Sequence, residues 1–256
     1  GQIQKQFRAT EEAAEAKAKL HEQELENLKI TNLLRTSELR SLQMQMNPHF
    51  LFNTLNMISK TAYLGDSEET VFLLQKTAQL LRCSLDYMGK SVTLARELEI
   101  LDCYVCLQEK RFAERIDFDF DLDERFHQVQ VPCLFLQPLV ENSITHGVGM
   151  YTSGGRILIR TRYLQQEGRG MISVVDNGLG MEPEQAEKVR KRLETVKIGQ
   201  DSCQQIGLEN VYMRLKNFFE GDVGIEIYSI PRQETEIRIL IPVKEENGYV
   251  SNDHCG

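Results

Sequence analysis

The hydrophobic positions along the chain change their spacing close to residue 90, and this change divides the sequence into two parts. Before Gly89, apolar residues recur at intervals of three and four, which is the period of an amphipathic helix. After Lys90, runs that alternate apolar and polar residues appear between further helical segments, as strands mixed with helices do. The pattern predicts an α+β protein, with helices first and a mixed domain after a boundary at Gly89-Lys90.

Residues 1–47 predict a long helix. They are rich in Ala, Glu, Gln, Lys and Leu, and they contain no Pro and, after the first residue, no Gly. Seven positions have the three-four spacing of a coiled coil: Leu25, Leu28, Asn32, Arg35, Leu39, Leu42 and Met46. Asn32 and Arg35 interrupt this seam, which predicts a phase slip. We interpret residues 1–40 as a coiled-coil helix that transmits a signal by shifting between two packings.

A helical hairpin is predicted to follow. Its first helix continues through Pro48 to about Leu64, and a turn comes at Gly65-Asp66-Ser67. Asp66 or Ser67 is expected to cap the second helix, over about 68–88. The apolar residues of this second helix have a helical period: Val71, Leu74, Ala78, Leu81 and Leu85. Two antiparallel helices leave too much apolar surface exposed, so we expect a dimer that closes two hairpins into a four-helix bundle.

The part after the boundary predicts an α/β sandwich with a mostly antiparallel sheet, over residues 91–247. Strands are predicted over 116–122, 156–163, 171–175, 225–230 and 236–243. Helices are predicted over 132–146, 182–196 and 207–219. Residues 248–256 are expected to form a frayed tail.

Charge and composition exclude some classes of protein. The formal net charge is −8 and the pI is about 5.3, so we expect no nucleic-acid partner, because phosphate binding needs clustered Lys and Arg. The basic run over 188–192 is interpreted as a solvated helix face. No apolar stretch approaches the ~20 residues that cross a bilayer, and no signal peptide is present. Because the first residue is Gly1 and not Met, the sequence is expected to be cut from a longer chain.

The six cysteines do not have the spacing of a disulfide framework. Cys103 and Cys106 form a C-x-x-C inside an amphipathic run over 98–112, with no second pair and no nearby His. A redox or zinc site is one interpretation of this motif. Two reduced thiols on a helix is the interpretation that we favour.

The segment QMNPHFLFN places His49 directly after a proline in the predicted helix. Pro48 has no N–H and clashes with the carbonyl of Met44, so the helix should bend and turn His49 outward. Asn53 lies four residues further on the same face. Its amide could hold one imidazole nitrogen and leave the other as a nucleophile. The spacing alone is equally compatible with a histidine that packs beside its aromatic neighbours.

A second segment, PLVENSITHG, places Glu141, Asn142 and Thr145 toward one side of a predicted helix, with His146 next to them. Carboxylate and amide oxygens are hard ligands, which suit Mg²⁺ or its bound waters. Taken alone, this segment is a weak indication of a metal site.

Two further segments contain glycine. Asp176 directly follows a predicted strand, where it could accept a hydrogen bond from an amino group such as that of adenine, and Gly178 and Gly180 permit a close backbone approach. Taken alone, this segment fits an ordinary turn better. Gly207 opens a predicted helix, whose free N–H groups favour phosphate. The residues before it, among them Gly199, Gln200, Asp201 and Ser202, are expected to form a mobile lid over a nucleotide.

Together, the order and spacing of these segments resemble the LytS/YesM-type histidine kinases, whose catalytic domain is a GHKL (Bergerat-fold) ATPase. The resemblance runs from about Glu38 to Val243. The segment LQMQMNPHFLFNTLN is similar to the family's phosphoacceptor box, LFLQPLVENSITHG to its N box, VVDNGLG to its G1 box and IGLENVYMRL to its G2 box. The segment VTLARELEILDCYVCLQEKRF resembles the family's linker into the catalytic domain.

The resemblance implies a role for each matching residue. His49 is implied as the phosphoacceptor, Asn142 as the Mg²⁺ ligand and Asp176 as the carboxylate that reads adenine. Asn53 and Glu141 are implied to assist catalysis. The implied nucleotide contacts are Asn142, His146, Asp176, Gly178, Gly180, Gly207, Leu208 and Asn210. Residues 41–90 then form a dimerisation and histidine phosphotransfer hairpin, and residues 91–247 form the ATP-binding domain.

The implied function is that of a two-component sensor kinase. It uses ATP and Mg²⁺, autophosphorylates on His49 and passes the phosphoryl group to an aspartate in the receiver domain of a response regulator. The family implies a homodimer and a cytoplasmic domain of a bacterial inner-membrane protein, attached through an upstream sensor segment.

Two departures from the family pattern leave alternatives open. Phe50 follows the histidine where many histidine kinases have an acid, so the general base is uncertain and Glu141 is only a candidate. Cys203, Gln204 and Gln205 stand where the G2 box usually has further glycines. One alternative is therefore a scaffold that binds nucleotide and no longer phosphorylates. Another is an ATPase in which Glu141 activates water.

Overall fold

The computed structural model describes residues 48–87, 89–195 and 207–243, without the side chains of Pro48 and His49. The predicted coiled coil over 1–40, the lid around 199–202 and the tail over 248–256 lie outside the described residues. So does Met44, on which the predicted bend at Pro48 depends. The chain separates into two units, residues 1–52 and 53–256.

Two helices joined by a short turn occupy the region of the predicted hairpin. Helix α1 spans Pro48–Tyr63 and helix α2 spans Ser67–Asp86. The Asp66 side chain caps α2 by accepting a hydrogen bond from the Glu69 N–H (3.0 Å), so the carboxylate satisfies a free amide of the first turn. Of the two predicted caps, Asp66 is therefore confirmed.

Helix α2 buries a different face from the one marked by its predicted apolar period. Leu73 and Leu80 are almost fully buried, together with the side chains of Thr77 and Cys83. The predicted set includes Val71, Leu74 and Leu85, which are 51%, 49% and 64% exposed. The helix is thus apolar on two faces, and only one of them is covered within the described residues of this chain.

The buried face of α2 packs on helix α3, which spans Leu94–Phe112 and begins after an N-cap at Thr93. Lys110 of α3 forms an ion pair with Glu69 of α2 (3.0 Å). Cys103 is buried on α3 and Cys106 is half-buried, and both thiols are free, as the favoured interpretation predicted. Burial raises the pKa of both thiols, which makes them poor nucleophiles.

A five-stranded sheet follows α3, in the spatial order β2-β4-β5-β7-β6. Its strands are β2 (Ile116–Asp121), β4 (Gly155–Leu164), β5 (Arg169–Asp176), β6 (Gly224–Ile230) and β7 (Glu234–Pro242). Strands β2 and β4 pair in parallel and the other neighbours pair antiparallel, which confirms the mostly antiparallel sheet. One face is apolar and forms the core through Ile157, Ile159, Ile172, Val174 and Ile239, none of which is exposed.

Two short strands and one helix boundary differ from the prediction. Strand β1 (Ser91–Thr93) pairs antiparallel with β3 (Gln130–Pro132), and neither strand was predicted. The helix predicted over 132–146 is wrong at its start, because Pro132 ends β3 and helix α4 spans Leu136–Asn142. Its last part, Ser143–Val148, is a π-helical segment. Wider turns of this kind often occur at functional sites.

The remaining helices are α5 (Pro183–Glu194) and α6 (Leu208–Phe218), and both were predicted within two residues of these limits. Among the described residues, none of the helices has the length and apolar content to cross a membrane.

Candidate functional site

Asp176 is the last residue of β5, and its carboxylate lies almost fully inside the protein, with 3% of the residue exposed. The Gly178 N–H donates to Asp176 Oδ1 (3.0 Å), and the Ser143 hydroxyl also bonds to the carboxylate. Burial raises the pKa of Asp176, and these two hydrogen bonds oppose that rise without cancelling it. A buried carboxylate with a raised pKa and no balancing cation among the described residues is characteristic of a functional site.

Close backbone packing brings the G1 segment against the N-box segment. A Cβ atom at Gly147 would clash with the Asp176 carboxylate, and one at Gly178 would clash with the Gly147 backbone. The Leu179 N–H donates to the Gly147 carbonyl (3.4 Å). The end of β5 and the end of the α4 region therefore form one wall, which only glycine at these positions allows.

The neighbouring Gly180 has a φ of +61°, and a Cβ there would clash with the Ile230 carbonyl. Gly178 and Gly180 were predicted as nucleotide contacts. In the structure, both glycines are also required by the packing of the loop itself.

Asn177 holds the loop after β5 in place, although its side chain was not singled out from the sequence. Its Oδ1 accepts from the Arg156 N–H (2.7 Å) and its Nδ2 donates to the Gly154 carbonyl (2.9 Å). The Tyr151 hydroxyl donates to the Asn177 carbonyl (3.1 Å). Asn side chains commonly stabilise turns in this way, so the Asp-Asn-Gly sequence contained a usable signal.

Glu141 and Asn142 occupy the last turn of α4, and both are half-buried. The next residue, Ser143, bonds to Asp176, so the two predicted magnesium-site residues lie directly beside the buried carboxylate in the chain. Thr145 and His146 follow on the π-helical segment with exposed side chains. Ser143 is a second residue that sequence reasoning missed, because a serine inside a predicted helix gives no local signal.

The start of α6 lies at Gly207, which caps the helix with a φ of +107° that side chains rarely adopt. Leu208 is buried, and Asn210 is half-buried on the first turn of the helix. Helix α6 packs against α4, the helix that carries the N-box residues Glu141 and Asn142. A helix N-terminus with free amides is suited to bind phosphate.

His49 and Asn53 lie four residues apart on helix α1. The His49 side chain lies outside the described residues, and Asn53 is half-buried. The predicted hydrogen bond between these two side chains therefore stays a prediction.

Mg²⁺ fits the site only with help from a substrate. Within the described residues, no cluster of three or more His, Cys, Asp or Glu side chains could hold a metal ion. The half-buried oxygens of Glu141 and Asn142 are hard donors, and phosphate oxygens would complete the coordination of Mg²⁺. This donor set suits a metal that arrives with a nucleotide.

Comparison with known proteins assigns both parts of the chain to families. The family described as histidine kinase matches residues 37–116, and the family described as histidine kinase-, DNA gyrase B- and HSP90-like ATPase matches residues 132–245. Each of these segments contains one of the two groups of motifs described above.

Three relatives illustrate the similarity. The sensor protein LytS of Staphylococcus saprophyticus is 32% identical over 87% of this chain and 37% of its own length. The protein YwpD of Bacillus subtilis is 34% identical over 82% of this chain and 72% of its own. The sensor histidine kinase YesM of Bacillus subtilis is 32% identical over 86% of this chain and 36% of its own. The chain thus spans little more than a third of LytS and YesM. With both family matches and these relatives, the chain belongs to the LytS/YesM-type histidine kinases.

Proposed function

We propose that this chain is the kinase part of a two-component sensor, which binds Mg-ATP in the α/β region and transfers the γ-phosphate to His49. The observation that carries the proposal is the buried carboxylate of Asp176, held by Ser143 and Gly178 beside the N-box helix. The membership of this chain in a histidine kinase family supplies the type of reaction.

Adenine recognition is assigned to Asp176. An ionised carboxylate is acceptor-only, and an amino group of a flat base is a matching donor. Burial makes this carboxylate, which has no cationic partner among the described residues, costly to keep ionised, so an incoming hydrogen-bond donor stabilises it more here than it would at the surface. We propose that the backbone of Gly178 and Gly180 contacts the nucleotide at the rim of the site.

The phosphate groups are assigned to Asn142 and to the start of α6. Asn142 is proposed to ligate Mg²⁺, which when bound neutralises phosphate charge. The amides around Gly207, Leu208 and Asn210 are proposed to hold the phosphate tail, and His146 is proposed to contact the nucleotide from its exposed position. Catalysis then consists mainly of positioning and charge stabilisation.

The transfer itself balances without any further reagent. An imidazole nitrogen of His49 forms a bond to the γ-phosphorus, the bond from that phosphorus to the bridging oxygen breaks, and ADP leaves. Asn53 is proposed to hold the other imidazole nitrogen, and Glu141 is the proposed acceptor of the imidazole proton. The phosphoryl group then passes to an aspartate in the receiver domain of a response regulator.

The organisation proposed for the whole chain follows from these roles. Residues 1–40 transmit the signal, residues 41–90 form the dimerisation and phosphotransfer hairpin, residues 91–247 bind ATP, and residues 248–256 are a tail. Because ATP is a cytoplasmic substrate, we propose a cytoplasmic position, with attachment to the inner membrane through an upstream sensor segment.

Incubation of the purified chain with γ-labelled ATP and Mg²⁺ tests the proposal. Label that is acid-labile and alkali-stable is expected on the unchanged chain, and none on His49→Gln. His127→Gln is the matched control, since His127 lies in the loop before β3, and its label should remain. Undiminished label on His49→Gln would exclude His49 as the acceptor. Phosphate release that survives this substitution would indicate an ATPase, and nucleotide binding without any label would indicate a scaffold.

A further inference from the structure

Glu97 is a buried carboxylate that the proposed chemistry does not use. It lies in the first turn of α3 and is 1% exposed. Its two oxygens accept hydrogen bonds from the Leu134 N–H (2.7 Å) and the Leu136 N–H (2.9 Å). Glu97 therefore binds the first amide of α4 and one amide just before the helix, although it is 39 and 37 positions away from them in the chain.

Arg214 of helix α6 holds the same segment from the other side. Its guanidinium donates to the carbonyl of Cys133 (2.5 Å) and to the carbonyl of Leu134 (3.4 Å). Two amides of the segment Cys133–Leu136 are thus bound from α3, and two of its carbonyls are bound from α6, while the Cys133 N–H donates to the Lys90 carbonyl (3.2 Å). We call these two side chains the Glu97–Arg214 clamp.

The clamped segment has a conformation that it would not keep by itself. Leu134 has a φ of +61°, which a side chain of this size rarely adopts. Such a backbone persists only where its surroundings determine it strongly. The four hydrogen bonds of the clamp supply that determination, so the direction in which α4 leaves the segment depends on them.

The electrostatics agree with this arrangement. Burial raises the pKa of Glu97, and the amides of Leu136 and Leu134 and the charge of Arg214 oppose the rise. Burial lowers the pKa of Arg214, and Glu97 opposes that change. Buried charges are costly, and their replacement by apolar groups is often neutral or stabilising. Stability alone is therefore a weak explanation for this pair.

Both helices of the clamp lead to the candidate site. Helix α4 is 7 residues long, so its clamped start and its last residues, Glu141 and Asn142, move as one short rigid element. Helix α6 begins at Leu208, directly after Gly207, and Arg214 lies about two turns further along it. A single fixed segment therefore sets where the N-box residues lie relative to the amides at the start of α6.

We propose that Glu97 and Arg214 are positioning residues of the nucleotide site, which fix the spacing between α4 and the start of α6. The proposal rests on the proposed function, because it assigns ATP to that site. It predicts that loss of either side chain weakens nucleotide binding without contact between that side chain and the nucleotide.

The test uses the full chain, four single variants and one double variant. Glu97→Gln keeps the size of the side chain and loses one acceptor, Arg214→Met keeps the packing volume and loses the donors, and Arg214→Lys keeps the charge. Arg162→Met is the matched control, since Arg162 also donates to a backbone carbonyl, that of Asp121 (3.1 Å), and lies on β4 five residues from the partner of Asp176. Affinity for Mg-ADP, amide hydrogen exchange and the thermal midpoint are measured for each.

We expect Glu97→Gln and Arg214→Met to weaken Mg-ADP binding at least tenfold and to speed amide exchange over residues 134–147. Arg214→Lys should recover most of the affinity, and Arg162→Met should stay within twofold of the unchanged chain. Because both side chains act on one segment, the double variant Glu97→Gln/Arg214→Met should bind no more weakly than the worse single variant.

A lower thermal midpoint with Mg-ADP affinity within twofold, measured where the variants are folded, would overturn the proposal and leave a purely structural role. Should the unchanged chain fail to bind Mg-ADP, the proposed function fails instead. In that case hydrogen exchange still decides about the clamp, because unchanged exchange over 134–147 in both variants would refute it.

Discussion

Helix α2 and strand β5 differ in how much of their apolar surface is buried within this chain. Strand β5 buries Ile172 and Val174 completely within this chain. Helix α2 buries Leu73 and Leu80 on one face and leaves Val71, Leu74 and Leu85 between 49% and 64% exposed on another. The α/β region has a core of its own, whereas the hairpin presents an apolar face that nothing in the described residues covers.

The two regions also differ in where polar groups cost free energy. The α/β region uses its closed core to support a buried carboxylate, Asp176, at the end of β5. Helix α2 carries no comparable buried charge. Its unfavourable contribution to the free energy comes from apolar side chains that are exposed to water. We infer that the α/β region is complete as a binding unit and that the hairpin is complete only in a dimer.

Replacement of Asp176 by Asn should produce the largest effect. It tests whether the α/β region binds the nucleotide by itself, through this carboxylate. We expect the affinity for Mg-ADP to fall at least ~100-fold, about 3 kcal/mol, because Asn has one acceptor oxygen where Asp has two, and its NH2 group cannot accept from the adenine amino group. Titration calorimetry measures this loss. Binding that persists within tenfold would remove Asp176 from the site.

The same variant should be more stable than the unchanged chain without nucleotide. Because the pKa of Asp176 is raised in the folded state, the folded protein binds this proton more tightly than the unfolded chain does. Its contribution to stability is full below the unfolded value of ~3.9 and is lost as the pH rises through the folded pKa. An Asn side chain does not ionise and has no such loss, so the thermal midpoint of Asp176→Asn should exceed that of the unchanged chain at neutral pH.

Leu74→Glu on helix α2 should produce the next largest effect and tests the other half of the comparison. A charge on the exposed apolar face is expected to weaken dimerisation at least tenfold, about 1.4 kcal/mol, measured by sedimentation equilibrium. Mg-ADP affinity should not change, because the α/β region is complete without the dimer. Gln79→Glu, an exposed position on a different side of α2, is the control for charge alone. Dimerisation that is unchanged by Leu74→Glu and weakened by Gln79→Glu would show that the face with Leu74 is not the dimer interface.

Substitution of Ser143 by Ala should have a smaller effect and sharpens the account of the polar site. It removes one hydrogen bond to the Asp176 carboxylate and keeps the helix, so Mg-ADP affinity should fall about fivefold, the equivalent of ~1 kcal/mol. Without this bond the pKa of Asp176 should rise further, because the hydroxyl opposes the effect of burial. The pH above which binding reaches its plateau should therefore move upward. An unchanged plateau would mean that Ser143 does not act through Asp176.

The sequence predicted most elements because their signals are local. The helical period of α2 is visible within a few turns, and the alternation of the long strands is visible within a few residues. Asp176 was identified because it directly follows a predicted strand. The start of α4 was predicted at Pro132 and lies at Leu136, because its position depends on Glu97, 39 positions earlier. The strands β1 and β3 have three residues each, too few to show alternation.

The residues of the candidate site were predicted from motifs. Asn142 and Gly207 were singled out by the order and spacing of their segments, and the nucleotide-binding roles expected of them stay predictions. Ser143 and Arg214 were missed because their partners come from other elements, and no pattern along a single helix reveals such a partner. The same limit explains why two faces of α2 are apolar and only the fold shows which one is covered.

Asp123→Asn should produce the smallest effect and separates two kinds of aspartate, one at the end of β5 and one in the loop after β2. The Asp123 carboxylate binds the exposed Arg125 guanidinium (2.6 Å) and accepts from the Tyr163 N–H (2.8 Å). Its hydrogen bond from Arg125 holds its pKa well below the usual range, against the opposing effect of burial. Asp123 thus stabilises the fold above the unfolded value of ~3.9, and this contribution is lost as the pH falls toward the folded pKa. Asn removes the ion pair with a solvated partner, so we expect a loss below about 1 kcal/mol at pH ~7, measured by urea unfolding. The difference between the two proteins should shrink below pH ~4. Opposite signs for Asp123→Asn and Asp176→Asn at neutral pH would show that only the carboxylate at the end of β5 is held at a cost to the fold, as a binding group is and a surface ion pair is not.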